Sequence, residues 1–231
     1  MHEVAEGLVG GRASMAILPW GSGNDFARML ESPPQLDAAL RWWGQATPRP
    51  CDIGQVRVDT RSGRHVQAHF INSLGIGFEA EVALRASRAR IFSGFSRYLV
   101  AALIHLFRYR APIVRVRYDE RFIDAPQFLI ALGNGRSAGG GFLLTPEAVI
   151  DDGLLDLCRA DDLPLHRLLR ILPSVMRGKH QRFDGVHADR VRAIRIDCAQ
   201  GCGLHADGEH LASDAVQIEV SVLPGALRLL G

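Results

Sequence analysis

Residues 19–28 read Pro19-Trp20-Gly21-Ser22-Gly23-Asn24-Asp25-Phe26-Ala27-Arg28. A short apolar run over 14–18 precedes this stretch and predicts a buried strand, and residues 25–30 have helical composition. A strand, a glycine-rich turn and a helix start direct free backbone N–H groups at one spot, where a phosphate can bind. Ordinary tight turns show the same glycine spacing, so the turn alone leaves both interpretations open. The candidate phosphate-contacting residues are Gly21, Ser22, Gly23, Asn24 and Asp25, the last two also being candidate helix caps.

The composition is that of an ordinary folded protein and narrows the functional classes. With 47% hydrophobic and 23% charged residues, the 231-residue chain can bury a sizeable core. A formal net charge of +2 gives no support to nucleic-acid binding. The sequence has neither a signal-peptide pattern nor an apolar run of the roughly 18 residues that a membrane-spanning helix needs. Four scattered cysteines are typical of reduced thiols, so we expect a cytoplasmic protein.

The order of the predicted elements indicates two domains. Residues 1–50 read as a fragment of an α/β domain, and the proline-rich break Thr47-Pro48-Arg49-Pro50 is the expected boundary. Residues 51–231 are predicted to be mostly antiparallel β structure with helical additions, and we expect the end of the chain to pack back on the first domain. Strands are predicted over 52–58, 66–74, 113–118, 127–132, 154–158, 191–198 and 216–222, and helices over 2–9, 35–43, 79–109 and 165–176.

Two further stretches contain residue types suited to phosphate or metal chemistry. Gly139-Gly140-Gly141 follows a predicted strand, and Asp151-Asp152-Gly153-Leu154 comes ten residues later. Three glycines permit close approach by a ligand, but a flexible hairpin loop and a strand-entry turn explain the same residues. Asp207-Gly208-Glu209 offers two carboxylates, and a surface hairpin turn is the plain alternative.

Basic residues are concentrated between Arg85 and Arg117, and almost all of them are arginine. A solvated helix face explains such a cluster, and attraction to anionic lipid head groups is the alternative. His105 lies among apolar residues of the same predicted helix, and we expect it to be packed in the core rather than to act as a ligand.

Together these stretches resemble the catalytic domain of the diacylglycerol kinase family, in particular its bacterial lipid kinases. The segment Leu18–Arg28 is similar to the family signature PxGTxNDFAR, with Ser22 where the family usually has threonine. Residues 139–154 resemble the family's GGG…P.A..DDG segment, and residues 207–209 match its DGE. Residues 72–78 are similar to a segment N…G.G.DA that enters the second domain, with Glu79 where aspartate is common.

The resemblance implies a fold, an activity and a set of site residues. The fold would be a remnant of a Rossmann-like nucleotide-binding domain followed by a β-sandwich domain with helical additions. The activity would be ATP-dependent transfer of the γ-phosphoryl group to the hydroxyl of diacylglycerol or a similar lipid alcohol. The partner would be that lipid at the membrane surface, through peripheral contact and without nucleic acid, and a homodimer would be compatible with it.

The resemblance also assigns roles within the site. The Asp152 side chain and the carbonyl oxygens of Val149 and Leu154 would hold Mg²⁺, which prefers such oxygen ligands. Glu209 would take the proton from the lipid hydroxyl, and Asp207 would position groups or contact the metal. Residues 21–25 would contact ATP.

The sequence departs from the family pattern at its nucleotide motif. It contains no Gly-Gly-Asp-Gly-Thr, and its first residues, Met1–Leu8, resemble the helix that follows that motif in the family. We therefore expect an N-terminally truncated chain whose own activity the sequence leaves open. A non-catalytic lipid-binding or regulatory remnant is the alternative. A kinase for a soluble alcohol, as NAD kinases are, is disfavoured by Asp25-Phe26-Ala27-Arg28.

Overall fold

The computed structural model describes residues 1–21, 23–30, 32–88 and 94–230. Five α-helices and ten strands occur among them. The helices are α1 His2–Leu8, α2 Leu36–Gln45, α3 Phe78–Arg88, α4 Gly94–Leu106 and α5 Leu165–Val175. The strands are β1 Ser14–Met15, β2 Pro48–Thr60, β3 His65–Phe70, β4 Ser73–Gly77, β5 Ile113–Tyr118, β6 Arg121–Gly133, β7 Leu155–Asp161, β8 Val186–Val191, β9 Ala193–Ala206 and β10 Glu209–Leu230.

The described strands form one hydrogen-bonded network in the order β3-β2-β10-β9-β4-β6-β7-β8. In addition, β5 pairs with β6 and β9, and β1 pairs with β10. Every pairing is antiparallel except that of β1 with β10, where Ser14 lies opposite Arg228. The fold is therefore mixed α/β with largely antiparallel strands, as the sequence predicts. The Rossmann remnant and the β-sandwich stay predictions.

The main core follows from alternation along the strands. In β5, residues Val114, Val116 and Tyr118 are buried and alternate with exposed ones, which is the period of a strand with one face in the core. The same core contains fully buried leucines and isoleucines of β4, β6 and β9, among them Leu74 and Ile196. Each such side chain contributes about 1.5–3 kcal/mol when it leaves water.

A second apolar cluster fixes the N-terminal segment to the ends of the two long strands. Met15 and Phe26 are buried in it beside Ile53 of β2 and Leu229 of β10. Phe26 follows the glycine-rich turn directly, so its burial places that turn at this end of the sheet. A third cluster packs α4 and α5 over β6 and β7. The Phe78 and Phe128 rings stack there at 4.4 Å.

The structure corrects several predicted bounds. The strand expected at 14–18 pairs over only two residues, and the helix expected at 25–30 is a short 3₁₀ helix over Ala27–Leu30. The expected break at 47–50 leads directly into β2, which crosses the expected domain boundary without interruption, and the division into two domains stays a prediction. The strand tolerates Pro48 and Pro50 because β3 pairs with β2 only from Gly54 onward. The N–H groups that these prolines lack are therefore not needed for hydrogen bonds to β3. The strand expected at 191–198 is divided between β8 and β9.

The helices of the described chain give two further results. None of them is both long and apolar enough to cross a bilayer. His105 of α4 is packed as expected: it is buried and stacks on Phe78 with 5.9 Å between ring centroids. Burial lowers the pKa of His105, so the neutral ring is the form that the core holds.

Candidate active site

The glycine-rich turn is closed by its own asparagine. Asn24 has a left-handed backbone (φ 56°), its Oδ1 accepts from the Gly21 N–H at 2.8 Å, and its Nδ2 donates to the Pro19 carbonyl at 2.9 Å. Neither Asn24 nor Asp25 uses its side chain as a helix cap, which was the expectation for them. Ser22, a predicted nucleotide contact, lies outside the described residues.

Asp25 joins the turn to the second glycine-rich segment. Its carboxylate accepts from the Gly140 N–H at 2.6 Å and from the Ser137 hydroxyl at 2.8 Å. A Cβ added to Gly23 would lie 3.5 Å from the Gly140 Cα, so the two backbones are in close approach. The two glycine-rich segments, far apart in sequence, therefore form one surface, and Asp25 holds them together.

Asp207-Gly208 forms the turn between β9 and β10. Both residues have positive φ, 50° and 87°, as the tight two-residue hairpin turn requires. The Asp207 carboxylate is buried and accepts three backbone N–H groups, those of Ile71, Asn72 and Ser73, each at 2.9 Å. Asp207 therefore ties the hairpin to the chain entering β4, and this arrangement suits a positioning role.

Glu209 follows the turn with 53% of its side chain exposed. His2, which the sequence did not single out, lies between the two carboxylates. Its Nδ1 is 3.6 Å from Asp207 Oδ2, and its Nε2 is 3.9 Å from Glu209 Oε2. The interaction with Asp207 raises the pKa of His2 although burial opposes it, because the protonated ring faces two negative charges.

A cavity of about 520 Å³ connects these polar segments to the apolar third cluster. Its polar lining includes the two glycine-rich segments, Asn72 and Ser73, and Asp207 and Gly208. Its apolar lining comes from α3, α4, α5, β6 and β7, with side chains such as Phe78, Leu106, Phe128, Leu168, Ile171 and Val175. The cavity can therefore hold a molecule with a polar head and a long apolar part.

The predicted metal ligands lie in the turn before β7. The Asp152 side chain is 23% exposed, its Oδ1 accepts from the Leu154 N–H at 3.0 Å, and Arg190 is 3.9 Å from Oδ2. No group of three or more metal-ligating side chains occurs in the part of the chain that the structure describes. One accessible carboxylate with backbone carbonyls and water is nevertheless an oxygen donor set that Mg²⁺ accepts.

A buried carboxylate that the sequence analysis overlooked shapes this turn. Asp52, only 1% exposed, accepts from the Gly153 N–H at 2.6 Å and from the Gly225 N–H at 2.7 Å. These contacts join β2, the turn before β7 and a bend within β10. Asp52 is itself the first residue of a predicted strand (52–58), so the local pattern gave no sign of this role.

Comparison with known proteins identifies the family of this chain. Residues 72–231 match the YegS C-terminal NAD kinase beta sandwich-like domain, and residues 1–56 match the diacylglycerol kinase catalytic domain. A diacylglycerol kinase of Mycobacterium tuberculosis is 32% identical over an alignment of 229 residues that covers 96% of this chain and 71% of that protein. The chain belongs to the diacylglycerol kinase-like family of lipid kinases. A protein of Pseudomonas aeruginosa named probable lipid kinase YegS-like is 35% identical over an alignment of 237 positions. The alignment covers 99% of this chain and 72% of that protein.

Solved structures show the same fold. A putative diacylglycerol kinase from Bacillus anthracis superposes with a TM-score of 0.74 at 21% identity, covering 99% of this chain and 73% of that one. A further structure of a diacylglycerol kinase from that organism superposes with a TM-score of 0.68 at 19% identity, over 99% and 71% of the two chains.

This member of the lipid kinase family also has a buried polar pair in its cavity. His205 Nε2 lies 3.4 Å from Glu79 Oε1, and the Gly208 N–H donates to His205 Nδ1 at 3.3 Å. Because Nδ1 accepts that bond, Nε2 is the ring nitrogen that faces Glu79. In the sequence, Glu79 is recognisable only as a departure from the aspartate that is common at this position of the family segment. His205 had no local signal, because it becomes a neighbour of Glu79 only through the pairing of β4 with β9.

Proposed function

We propose that this protein is an ATP-dependent lipid kinase that transfers the γ-phosphoryl group to the hydroxyl of diacylglycerol or a similar lipid alcohol. The observation that carries the proposal is the cavity that joins the glycine-rich segments and the Asp207-Gly208 turn to an apolar pocket under α4 and α5. A soluble alcohol would leave the apolar part unfilled. A lipid alcohol would fill it and present its hydroxyl at the polar part.

The proposed roles follow from where each group lies. Residues 21–25 and Gly139 would contact the ATP phosphates, since both glycine-rich segments line the cavity and their missing side chains allow a ligand to come close to the backbone. Glu209 would take the proton from the lipid hydroxyl as it attacks the γ-phosphorus, because its carboxylate is accessible next to that lining. Asp207 would hold Glu209 in place through its three backbone hydrogen bonds.

Mg²⁺ fits the proposal through Asp152 and the carbonyl oxygens of Val149 and Leu154. When bound, the ion would neutralise negative charge and rigidify the turn before β7. The protein would work at the cytoplasmic face of the membrane, with peripheral contact, and a homodimer is compatible with this activity.

The test of the catalytic assignment is Glu209→Gln. Incubation with γ-labelled ATP, Mg²⁺ and mixed micelles of diacylglycerol should label the lipid with the wild-type protein. The variant should label it about 10²–10⁴-fold more slowly, because a general base contributes that much, while its affinity for ATP stays unchanged. Glu120→Gln, an exposed glutamate in the β5–β6 turn, is the matched control. Equal turnover in Glu209→Gln and Glu120→Gln would refute the base assignment.

The second candidate function is lipid binding without catalysis, for which the apolar part of the cavity is sufficient. The same assay distinguishes the two candidates when it is run on this chain and on a longer form that supplies the motif upstream. Label in both forms supports the kinase as given, and label only in the longer form supports a kinase that needs the motif. Saturable lipid binding with no ATP binding and no label in either form supports the second candidate.

A further inference from the structure

Two segments of the chain combine many basic residues with a complete lack of acidic ones. Residues 82–118, which include α4, contain eight arginines and no aspartate or glutamate. Residues 163–183, which include α5, contain four arginines and one lysine, again without an acidic residue. The whole chain has 25 acidic residues, so their exclusion from both helical segments concentrates positive charge in a protein of net charge +2.

Helices α4 and α5 of these segments both lie at the apolar part of the cavity. Ala102 and Leu106 of α4 and Leu168 and Ile171 of α5 line it. Both helices contribute to the third apolar cluster, against Phe128 of β6 and Ala160 of β7. The faces of α4 and α5 that do not contact this cluster therefore point away from the sheet.

These outward faces expose large apolar side chains. On α4 and just after it, Ile104 is 63% and Phe107 66% exposed, and on α5 and just after it, Leu169 is 40% and Met176 39% exposed. Arg108 and Arg110 follow α4, and exposed Arg167 and Arg170 lie on α5. We call this surface the outer helical face; it consists of Ile104, Phe107, Arg108, Arg110, Arg167, Leu169, Arg170 and Met176.

We propose that the outer helical face docks on an anionic lipid bilayer, with its apolar side chains in the acyl boundary and its arginines on the head groups. This inference rests on the proposed function, since it names the surface through which a lipid substrate reaches the cavity. Lipid would pass between α4 and α5 from the bilayer without crossing water. Large apolar side chains among arginines are the composition of an interfacial surface, and each arginine near an anionic membrane adds to its affinity.

The charge pattern favours a bilayer over other partners. Two acidic residues precede α5. Asp161 is paired with Arg159 at 3.0 Å and His187 at 2.9 Å, and exposed Asp162 is a single negative charge against the four arginines and one lysine of residues 163–183. A nucleic acid would use the arginines but not exposed Phe107 or Ile104. An acidic protein surface would use both, and it would leave vesicle binding unaffected by changes to the face.

The experiment measures binding to vesicles by co-sedimentation, with phosphatidylcholine alone and with added phosphatidylglycerol. Arg167→Gln/Arg170→Gln should weaken binding to the anionic vesicles about 30-fold, because one arginine contributes about fivefold. Arg57→Gln/Arg64→Gln makes the same change at exposed positions of the β2–β3 hairpin, at the other end of the strand order, and should bind as wild type. High salt should remove most of the difference.

A second pair of variants tests the apolar part. Ile104→Ser/Phe107→Ser should weaken vesicle binding at least about tenfold. Leu40→Ser/Phe122→Ser removes side chains that are 54% and 58% exposed elsewhere and should leave binding unchanged. Melting temperatures of all four proteins should equal that of the wild type, because the replaced groups are in water. Full vesicle binding by both helix variants overturns the proposal, as does an equal loss in the controls.

Turnover separates this inference from the proposed function. With short-chain diacylglycerol dispersed in water, the helix variants should keep wild-type phosphorylation, and with vesicles they should lose it in parallel with binding. If no protein phosphorylates either substrate while vesicle binding still depends on the outer helical face, the docking surface stands and the kinase proposal fails. If phosphorylation occurs and all variants bind vesicles equally, the kinase proposal stands and the docking surface fails.

Discussion

His180 is a single buried residue that makes the stability of the fold depend on pH. It is 2% exposed and lines the cavity, with Nε2 3.1 Å from the Leu144 carbonyl and 3.4 Å from Cys158 Sγ. Burial lowers the pKa of His180 below its ordinary 6.5, so the folded protein resists protonation that the unfolded chain accepts. The neutral His180 therefore costs no stability above pH 6.5, and the folded protein loses stability relative to the unfolded chain as the pH falls below that value.

Replacing this histidine should remove part of the acid sensitivity. Between about pH 6.5 and pH 5 the uptake of one proton costs at most about 2 kcal/mol of unfolding free energy. His180→Gln keeps a donor for the Leu144 carbonyl but cannot take up the proton, so its stability should fall less than that of the wild type over this range. Urea unfolding at about pH 7.5 and pH 5 measures the difference. His166→Gln, an exposed position on α5, should follow the wild type. An unchanged pH dependence in His180→Gln would contradict the assignment.

At the scale of elements, the β9–β10 hairpin is docked on the start of β4 by one carboxylate. Asp207→Asn keeps the size of the side chain and tolerates its positive φ, but its amide nitrogen cannot accept from the backbone N–H groups of residues 71–73. We expect a loss of about 1.5–3 kcal/mol in urea unfolding, because bonds to a charged acceptor are lost in a buried site. Asp119→Asn, at an exposed position with φ 48° in the β5–β6 turn, should cost less than about 0.5 kcal/mol. Equal losses would show that the turn geometry, not the docking, matters.

The elements also show what sequence patterns can and cannot predict. The strand at 113–118 is predicted with its bounds because arginines at 115 and 117 separate the apolar residues at 114, 116 and 118, so that local pattern and burial agree there. The DGE and glycine-rich stretches are recognised because the family motif is continuous in sequence. Asp52, His2 and the pair Glu79–His205 were missed, since each acts on residues far away in sequence that become neighbours only in the folded chain. The apolar pocket was missed for the same reason.

At the scale of the whole molecule, two long strands join the parts that the sequence divides at residue 50. β2 runs from Pro48 to Thr60, and β10 pairs with β1 at one end and with β9 over most of its remaining length. The apolar cluster around Met15 and Leu229 thus shares both strands with the main core. This continuity predicts that the chain unfolds as one cooperative unit rather than as two domains in succession.

Two probes can test that prediction because all three tryptophans, Trp20, Trp42 and Trp43, lie in the first 50 residues. Tryptophan fluorescence therefore reports on the N-terminal part, and far-UV circular dichroism is dominated by the strands. Leu229→Ala and Leu204→Ala each remove a fully buried side chain, the first in the N-terminal cluster and the second in the main core. Each should lower the unfolding free energy by about 2–5 kcal/mol. In both variants the fluorescence and dichroism midpoints should move together. A fluorescence midpoint that shifts alone in Leu229→Ala, with dichroism shifting alone in Leu204→Ala, would mean that the two parts fold independently.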